Sequence, residues 1–125
     1  MSSRPLLRPQ KVVTNQSMAS NVTSLVTNIN MMGCVSYNIS WTGTPTGTFS
    51  VQVCNDYVQP VGVQDHPLTS GTWVDIPLSS VVTAAGVADT AFIDVDVIGA
   101  AYIRLVYTRF AGTGTLNATL AGKVI

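Results

Sequence analysis

Apolar and polar residues alternate along much of the chain, and the alternation is clearest in two segments separated by a turn. Residues 35–41 carry an apolar side chain at every second position, and residues 49–53 repeat the pattern after the turn sequence at 42–47. This period of two is typical of β-strands with one buried face. The turn is rich in Gly, Thr and Pro, which favours a reversal of the chain. We therefore predict that the two segments form a β-hairpin.

The register of this hairpin follows from its buried face. With the turn at 42–46, Ile39 faces Phe49 and Val35 faces Val53 on the inner side. The same register places Cys34 opposite Cys54 on the outer side. Partners on adjacent strands can come close enough for a disulfide, but such bridges are often strained, and a reducing cytoplasm favours free thiols.

A second hairpin is predicted from residues 92–97 and 101–108, with a turn at 98–100. Apolar side chains again occupy alternate positions on both segments. In the predicted register, Asp94 lies opposite Arg104 on the outer face. Because opposed side chains in a sheet are within contact distance, we expect these two to form a structural ion pair. A calcium site at the two carboxylates of Asp94 and Asp96 is the less favoured interpretation.

Other segments complete an all-β prediction. Residues 12–17, 22–29, 73–77 and 116–120 are interpreted as strands, and residues 78–90 are left partly irregular. No segment has the 3.6-residue period of an amphipathic helix. Seven or eight short strands with turns of Gly, Thr and Pro predict an antiparallel β-sandwich, either a jelly roll or an immunoglobulin-like fold.

The first eleven residues are expected to form an extended N-terminal arm ahead of a single domain at 12–125. The arm shows no alternation of apolar and polar residues, and it contains two prolines and the positive charges of Arg4, Arg8 and Lys11. A segment of this kind can order on a neighbouring chain. Its candidate partner-binding residues are Arg4, Leu6, Leu7, Arg8 and Lys11.

A long polar segment between two predicted strands is the second candidate contact region. Residues 57–71 contain two prolines, two glycines and the single histidine of the chain, His66. Loops of this length in a compact domain are usually functional or disordered. Tyr57 is the aromatic residue that we most expect to be exposed, and Tyr57 and His66 complete the set of candidate partner-binding residues.

The composition favours binding or assembly over catalysis. Net charge is zero, charged residues make up 10%, and the six acidic residues are all Asp. A neutral chain lacks the basic surface of a nucleic-acid-binding protein. Two cysteines and one histidine predict neither a zinc site nor a catalytic triad, so we expect no enzyme activity, metal or cofactor. The sequence has no apolar stretch of membrane-spanning length and no signal-peptide pattern, and its four N-x-S/T sequons are therefore not interpreted as glycosylated.

The aromatic residues divide between core and surface. Tyr37 and Trp41 lie on the predicted inner face and are expected in the core. Trp73 follows a turn, and we favour a core position for it over a role as an exposed stacking platform.

Several pieces of the chain resemble a group of short virion proteins of tailed bacteriophages, which are small β-sandwich modules in capsid-associated or fibre-like positions. The resemblance covers roughly residues 18–123. It is carried by the segments V-x-Y-x-I-x-W-T-G-T-P-T-G-T-F at 35–49, C-N-D at 54–56, T-W-V-D-I-P at 72–77, A-Y-I-R-L-V-Y-T at 101–108 and G-T-G-T-L-N-A at 112–118. In that pattern a short turn joins the Asn-Asp pair to the Trp-containing strand. Here residues 57–71 are inserted at that point.

The resemblance implies a structural function in a virion. We expect a decoration or auxiliary protein that binds the major capsid protein, other copies of itself, or both, and that stabilises the shell. A tail or fibre position is the alternative within the same class. A different class is a carbohydrate-binding sandwich that uses Trp73, Tyr57 and nearby Asn and Asp residues, for example on a host surface.

Overall fold

The parts of the chain that the structure describes consist of β-strands and the turns and loops that connect them. The computed structural model describes residues 6–29, 33–56, 71–78, 81–96 and 100–123. These ranges contain ten strands and no helix. The strands are β1 (Leu6–Ser17), β2 (Val22–Thr23), β3 (Thr27–Asn28), β4 (Cys34–Gly43), β5 (Thr46–Cys54), β6 (Val74–Asp75), β7 (Val82–Ala85), β8 (Asp89–Asp96), β9 (Tyr102–Ala111) and β10 (Gly114–Lys123).

The strands form two antiparallel sheets. Sheet A has the order β1-β10-β4-β8, and sheet B has the order β2-β9-β5-β6. In sheet B, β3 also pairs with β9 and β7 also pairs with β5. β2 and β3 both pair with β9, and β6 and β7 both pair with β5, so each pair can be counted as one strand. The eight strands that result are numbered 1 to 8 in chain order. Sheet A then has the order 1-8-3-6, and sheet B has the order 2-7-4-5. This is the connectivity of a jelly roll, one of the two predicted forms of the sandwich.

The first predicted hairpin is wrong, because β4 and β5 lie in opposite sheets. Ile39 pairs with Ala91 and Ala118 in sheet A, whereas Phe49 pairs with Val82 and Tyr107 in sheet B. The predicted facing of Cys34 and Cys54 fails for the same reason, and both are buried cysteines that form no disulfide. Two consecutive strands bury the same alternate side chains whether they pair in one sheet as a hairpin or lie in opposite sheets. The pattern therefore identifies the buried face but not the partner strand.

The second predicted hairpin is wrong in the same way. β8 pairs with β4 in sheet A, and β9 pairs with β5 in sheet B. Asp94 consequently lies opposite Ser36, and Arg104 lies opposite Gln52. The predicted Asp94–Arg104 pair does not form, because the two side chains extend from the outer faces of different sheets.

The predicted arm boundary also needs correction. β1 begins at Leu6 and pairs with β10 from Leu6↔Lys123 to Ser17↔Thr115, with three register shifts along the way. The backbone of residues 6–11 is therefore part of sheet A. The segment gives no alternation because β1 is an irregular edge strand, where Pro9 is tolerated and bulges break the period of two.

The core lies between the two sheets and consists of the inward side chains of the long strands. Tyr37 and Trp41 are buried as predicted, but Trp73 is only half-buried and lies outside the core. Residues 78–90 are more regular than predicted, since β7 and the first residues of β8 lie there. The buried residues of the core are Val12, Val13, Met18, Val22, Ile29, Val35, Tyr37, Ile39, Trp41, Phe49, Val51, Ala84, Ile93, Val95, Ile103, Leu105, Tyr107, Leu116, Ala118 and Leu120.

Candidate functional site

Four connections meet at one end of the sandwich, where β1, β4, β7 and β9 finish. We call this surface the turn end and define it as residues 18–21, 43–45, 85–88 and 110–113. Two of its loops interlock through glycines. A Cβ atom at Gly112 would overlap the carbonyl oxygen of Thr44, and one at Gly43 would lie 2.5 Å from the carbonyl oxygen of Thr113. Both glycines have positive φ, which side-chain-bearing residues rarely adopt.

Hydrogen bonds hold all four connections together. The N–H of Thr44 donates to the carbonyl of Thr113 at 2.9 Å, and the N–H of Gly86 donates to the carbonyl of Pro45 at 2.8 Å. The N–H of Met18 reaches Gly114 at 2.8 Å. From the core, Trp41 Nε1 donates to the carbonyl of Val87 at 2.9 Å. The four connections are therefore bonded to one another or to the neighbouring strands.

The turn end exposes apolar side chains. Phe110 is 82% exposed and Val87 is 60% exposed. Ala19, Ala85, Ala88 and Ala111 are exposed in the same loops. Arg109, beside Phe110, directs Nε to the carbonyl of Gly112 at 2.9 Å. These exposed apolar residues come from three of the four connections, 18–21, 85–88 and 110–113.

The opposite end of the sandwich carries the two ends of the predicted insertion. The Asp56 carboxylate accepts hydrogen bonds from the Thr72 N–H at 2.7 Å, the Thr72 hydroxyl at 2.9 Å and the Cys54 thiol at 3.1 Å. These bonds, the one from the Thr72 N–H foremost, lower the pKa of Asp56 to about 2. The Asp56 carboxylate therefore connects the end of β5 to the segment that precedes β6, on either side of residues 57–70.

A polar cluster lies on the outer face of sheet B near the same end. Arg104 Nε donates to Gln52 Oε1 at 2.8 Å, and Gln52 Nε2 donates to Asp75 Oδ1 at 2.8 Å. The Arg104 guanidinium lies 4.2 Å from the centre of the Trp73 ring. This is the geometry of a cation–π contact. One face of Trp73 is thus covered by a side chain of its own domain.

An open groove of about 430 Å³ crosses the outer face of sheet A. Its main feature is Phe92, which is 58% exposed and lies beside Asn38 in the sheet. The other polar side chains that line the groove are Lys11, Ser40, Thr90, Asn117 and Thr119. The groove therefore offers one aromatic ring and several hydroxyl and amide groups, with a single charge.

The exposed aromatic residues do not share a plane. Phe92 lies on sheet A, Trp73 on sheet B, and Phe110 at the turn end. These three aromatic residues are therefore distributed over the two sheets and one end of the sandwich.

The candidate residues from the sequence do not form one site. Arg4, Tyr57 and His66 lie outside the described residues, and for Leu6, Leu7 and Arg8 only the backbone, in β1, is described. Lys11 is exposed and lines the groove. Asp94 and Arg104 lie on different sheets.

Sequence reasoning missed the turn end. The signal was present as the repeated Gly-Thr pairs at 42–48 and 112–115. Each segment was interpreted as an independent turn. Close approach of two backbones is the physical reason for glycine at both places.

Within the described ranges, no group of three or more His, Cys, Asp or Glu side chains is placed to hold a metal ion. In the same ranges, no helix is long and apolar enough to cross a membrane. The sequence matches no family model and no curated protein.

Proposed function

We propose that this chain is a structural protein of a bacteriophage virion that decorates the capsid. In this proposal it binds the lattice of the major capsid protein through the turn end. The opposite end, with residues 57–71, then points away from the shell. The protein acts by adding contacts between shell subunits and by presenting this insertion.

The turn end is the observation that carries the proposal. It combines interlocked backbones with Phe110 and Val87, the two large apolar side chains exposed there. A preformed apolar surface suits permanent attachment to a repeating lattice, because burying apolar area drives association and little ordering is required.

Two further properties support a role in assembly. The chain has no net charge and few charged residues, so little electrostatic repulsion opposes its packing against many neighbours. The jelly roll is also an architecture found in capsid proteins, although it is shared with lectins and enzymes and does not by itself imply a function. A tail or fibre position uses the same surface and differs only in the partner.

Carbohydrate binding is the second candidate, and the groove on sheet A favours it. The groove combines the exposed Phe92 ring with the amide group of Asn38 and the hydroxyl groups of Ser40 and Thr90. This differs from the site first expected at Trp73, whose ring is in contact with Arg104. Binding to a glycan array that is lost in Asn38→Ala would support this function.

Quantitative mass spectrometry of purified particles tests the proposal. We expect the chain in particles made by the phage that encodes it, at a fixed ratio to the major capsid protein. A ratio of a few copies per particle would point to the tail or fibre position. Absence from purified particles would overturn the virion function itself.

A further inference from the structure

The two edge strands of sheet A, β1 and β8, differ in regularity. β1 has three register shifts and contains Pro9 and Lys11. Bulges, proline and lysine are the features with which proteins prevent an edge strand from pairing with another chain. β8 has no bulge, proline or lysine, and its only charged residues are Asp89, Asp94 and Asp96. Its ladder with β4 runs without a shift from Asp89↔Trp41 to Asp96↔Cys34.

β8 pairs with a strand on one side only, as far as the described residues show. Its other edge presents the backbone N–H and C=O groups of every second residue of this eight-residue strand. On the outer face it carries Thr90, Phe92 and Asp94, and all three are exposed. A regular edge with an exposed aromatic residue at its middle is a template for strand addition.

We propose that two copies of this chain join edge to edge through β8, antiparallel, with the two-fold axis passing through Phe92. Two copies related by a two-fold axis use the same surface, so the edge must be complementary to itself. Directly opposed residues point to the same face of the sheet, whereas neighbouring residues of one strand point to opposite faces. An axis between two residues would oppose neighbours, so the axis must pass through a residue.

Charge and length select this register among the alternatives. An axis at Phe92 pairs residues 89–95, and it sets Asp94 opposite Thr90 of the second copy. An axis at Asp94 would oppose that carboxylate with itself, which is unfavourable. An axis at Ile93 would set Asp94 against the Phe92 ring.

An axis at Ala91 is the remaining alternative, and it shortens the ladder to residues 89–93. The register at Phe92 also stacks the two exposed rings as a cross-strand aromatic pair, which stabilises antiparallel sheets. In the dimer, sheet A becomes one continuous sheet of eight strands, since each copy contributes four. The inference concerns self-association and does not depend on a virion function.

Sedimentation velocity over a range of protein concentrations provides the test. We expect a monomer–dimer equilibrium for the unaltered protein. Phe92→Asp would place two carboxylates opposite each other at the axis and raise the dissociation constant about tenfold or more. Asn38 lies opposite Phe92, on the neighbouring strand β4 and on the same outer face of sheet A. Asn38→Asp makes the same charge change away from the proposed axis and should leave the monomer–dimer equilibrium nearly unchanged.

Cysteine cross-linking tests the register even if Phe92→Asp folds poorly. With a short bifunctional thiol reagent, Phe92→Cys should link to itself across the axis. Thr90→Cys should not, whereas a Thr90→Cys, Asp94→Cys double variant should, because each position faces the other. Cys34 and Cys54 are buried and stay out of the reaction. A monomer at every soluble concentration, or a Thr90→Cys variant that links as readily as Phe92→Cys, would overturn the proposal.

Discussion

The rings of Trp41 and Phe49 pack with their centroids 5.2 Å apart, although the strands that carry them belong to opposite sheets. Phe49 also contacts Tyr107, with centroids 5.0 Å apart. Because Trp41 bonds to the carbonyl of Val87, this aromatic row connects the interior to the turn end. The row joins both sheets and one of the loops that the proposed interface uses.

Replacement of Phe49 by Ala should be strongly destabilising. Phe49 is buried in the aromatic row, and removal of a buried aromatic ring typically costs about 3–5 kcal/mol. Phe110→Ala is the matched control, since its ring is exposed and the change should stay within about 0.5 kcal/mol. Urea denaturation of both variants measures the difference. Equal losses would mean that Phe110 is not the free surface residue described here.

The interlocked loops predict unequal effects for two Gly→Ala variants. Gly86 and Gly112 both have positive φ, but a Cβ atom at Gly86 meets nothing closer than Thr46 Oγ1 at 3.8 Å, whereas one at Gly112 overlaps Thr44. Gly86→Ala should lose about 1 kcal/mol from backbone strain alone. Gly112→Ala should lose clearly more, about 3 kcal/mol, because the loops must separate. Similar unfolding free energies for the two variants would show that the loops do not interlock.

The buried faces of β4, β5, β8, β9 and β10 were predictable from the sequence, but that of β1 and the pairing of the strands were not. Alternation at residues 35–41 and 49–53 identifies the inward side chains, since a side chain on a strand must face either the core or solvent. Which strand lies alongside is decided by contacts far apart in the chain. In this jelly roll the connections from β4 to β5 and from β8 to β9 both cross between sheets, so neither predicted hairpin forms.

The candidate site was less predictable for a related reason. The turn end is assembled from four loops that are distant in sequence, and the exposure of Phe110 follows from its place at the end of β9. Local patterns do not report such a juxtaposition. Lys11 was predicted to bind a partner as part of the N-terminal arm, and that role stays a prediction. The structure places Lys11 in β1 of sheet A, at the edge of the groove.

Double-mutant cycles should separate the observed partner of Arg104 from the predicted one. Arg104 bonds to Gln52 at 2.8 Å, so the Arg104→Ala, Gln52→Ala cycle should give a coupling energy of about 0.5–1.5 kcal/mol. The Arg104→Ala, Asp94→Ala cycle should give about zero, because the residues lie on different sheets. A larger coupling with Asp94 would contradict the sheet assignment.

Stability should fall at alkaline pH because of Tyr37. Burial raises the pKa of Tyr37 above its ordinary value of about 10. The folded protein therefore keeps the phenolic proton while the unfolded chain releases it above pH 10. The stabilisation that arises from the raised pKa of Tyr37 is fully present below pH 10. Above pH 10 it decreases by about 1.4 kcal/mol per pH unit.

Tyr37→Phe should flatten this decline when unfolding is measured between pH 9 and 12. Burial also raises the pKa of Tyr107, so a second contribution of the same sign should remain. The Tyr37 hydroxyl has no hydrogen-bond partner within the described part of the chain. The variant should therefore be no less stable than the unaltered protein at pH 7. Parallel curves for both proteins above pH 10 would rule out this account of Tyr37.

The turn end as the attachment surface is tested most directly by counting copies of variants on purified particles. Phe110→Asp places a charge in the exposed apolar surface, and Val74→Asp makes the same kind of change at a residue that is 57% exposed at the opposite end. With both variants supplied in excess to particles that lack the protein, quantitative mass spectrometry gives the copies retained. We expect Val74→Asp to bind like the unaltered protein and Phe110→Asp to be reduced about tenfold or more. Retention of Phe110→Asp at the unaltered level, with loss of Val74→Asp, would contradict the account.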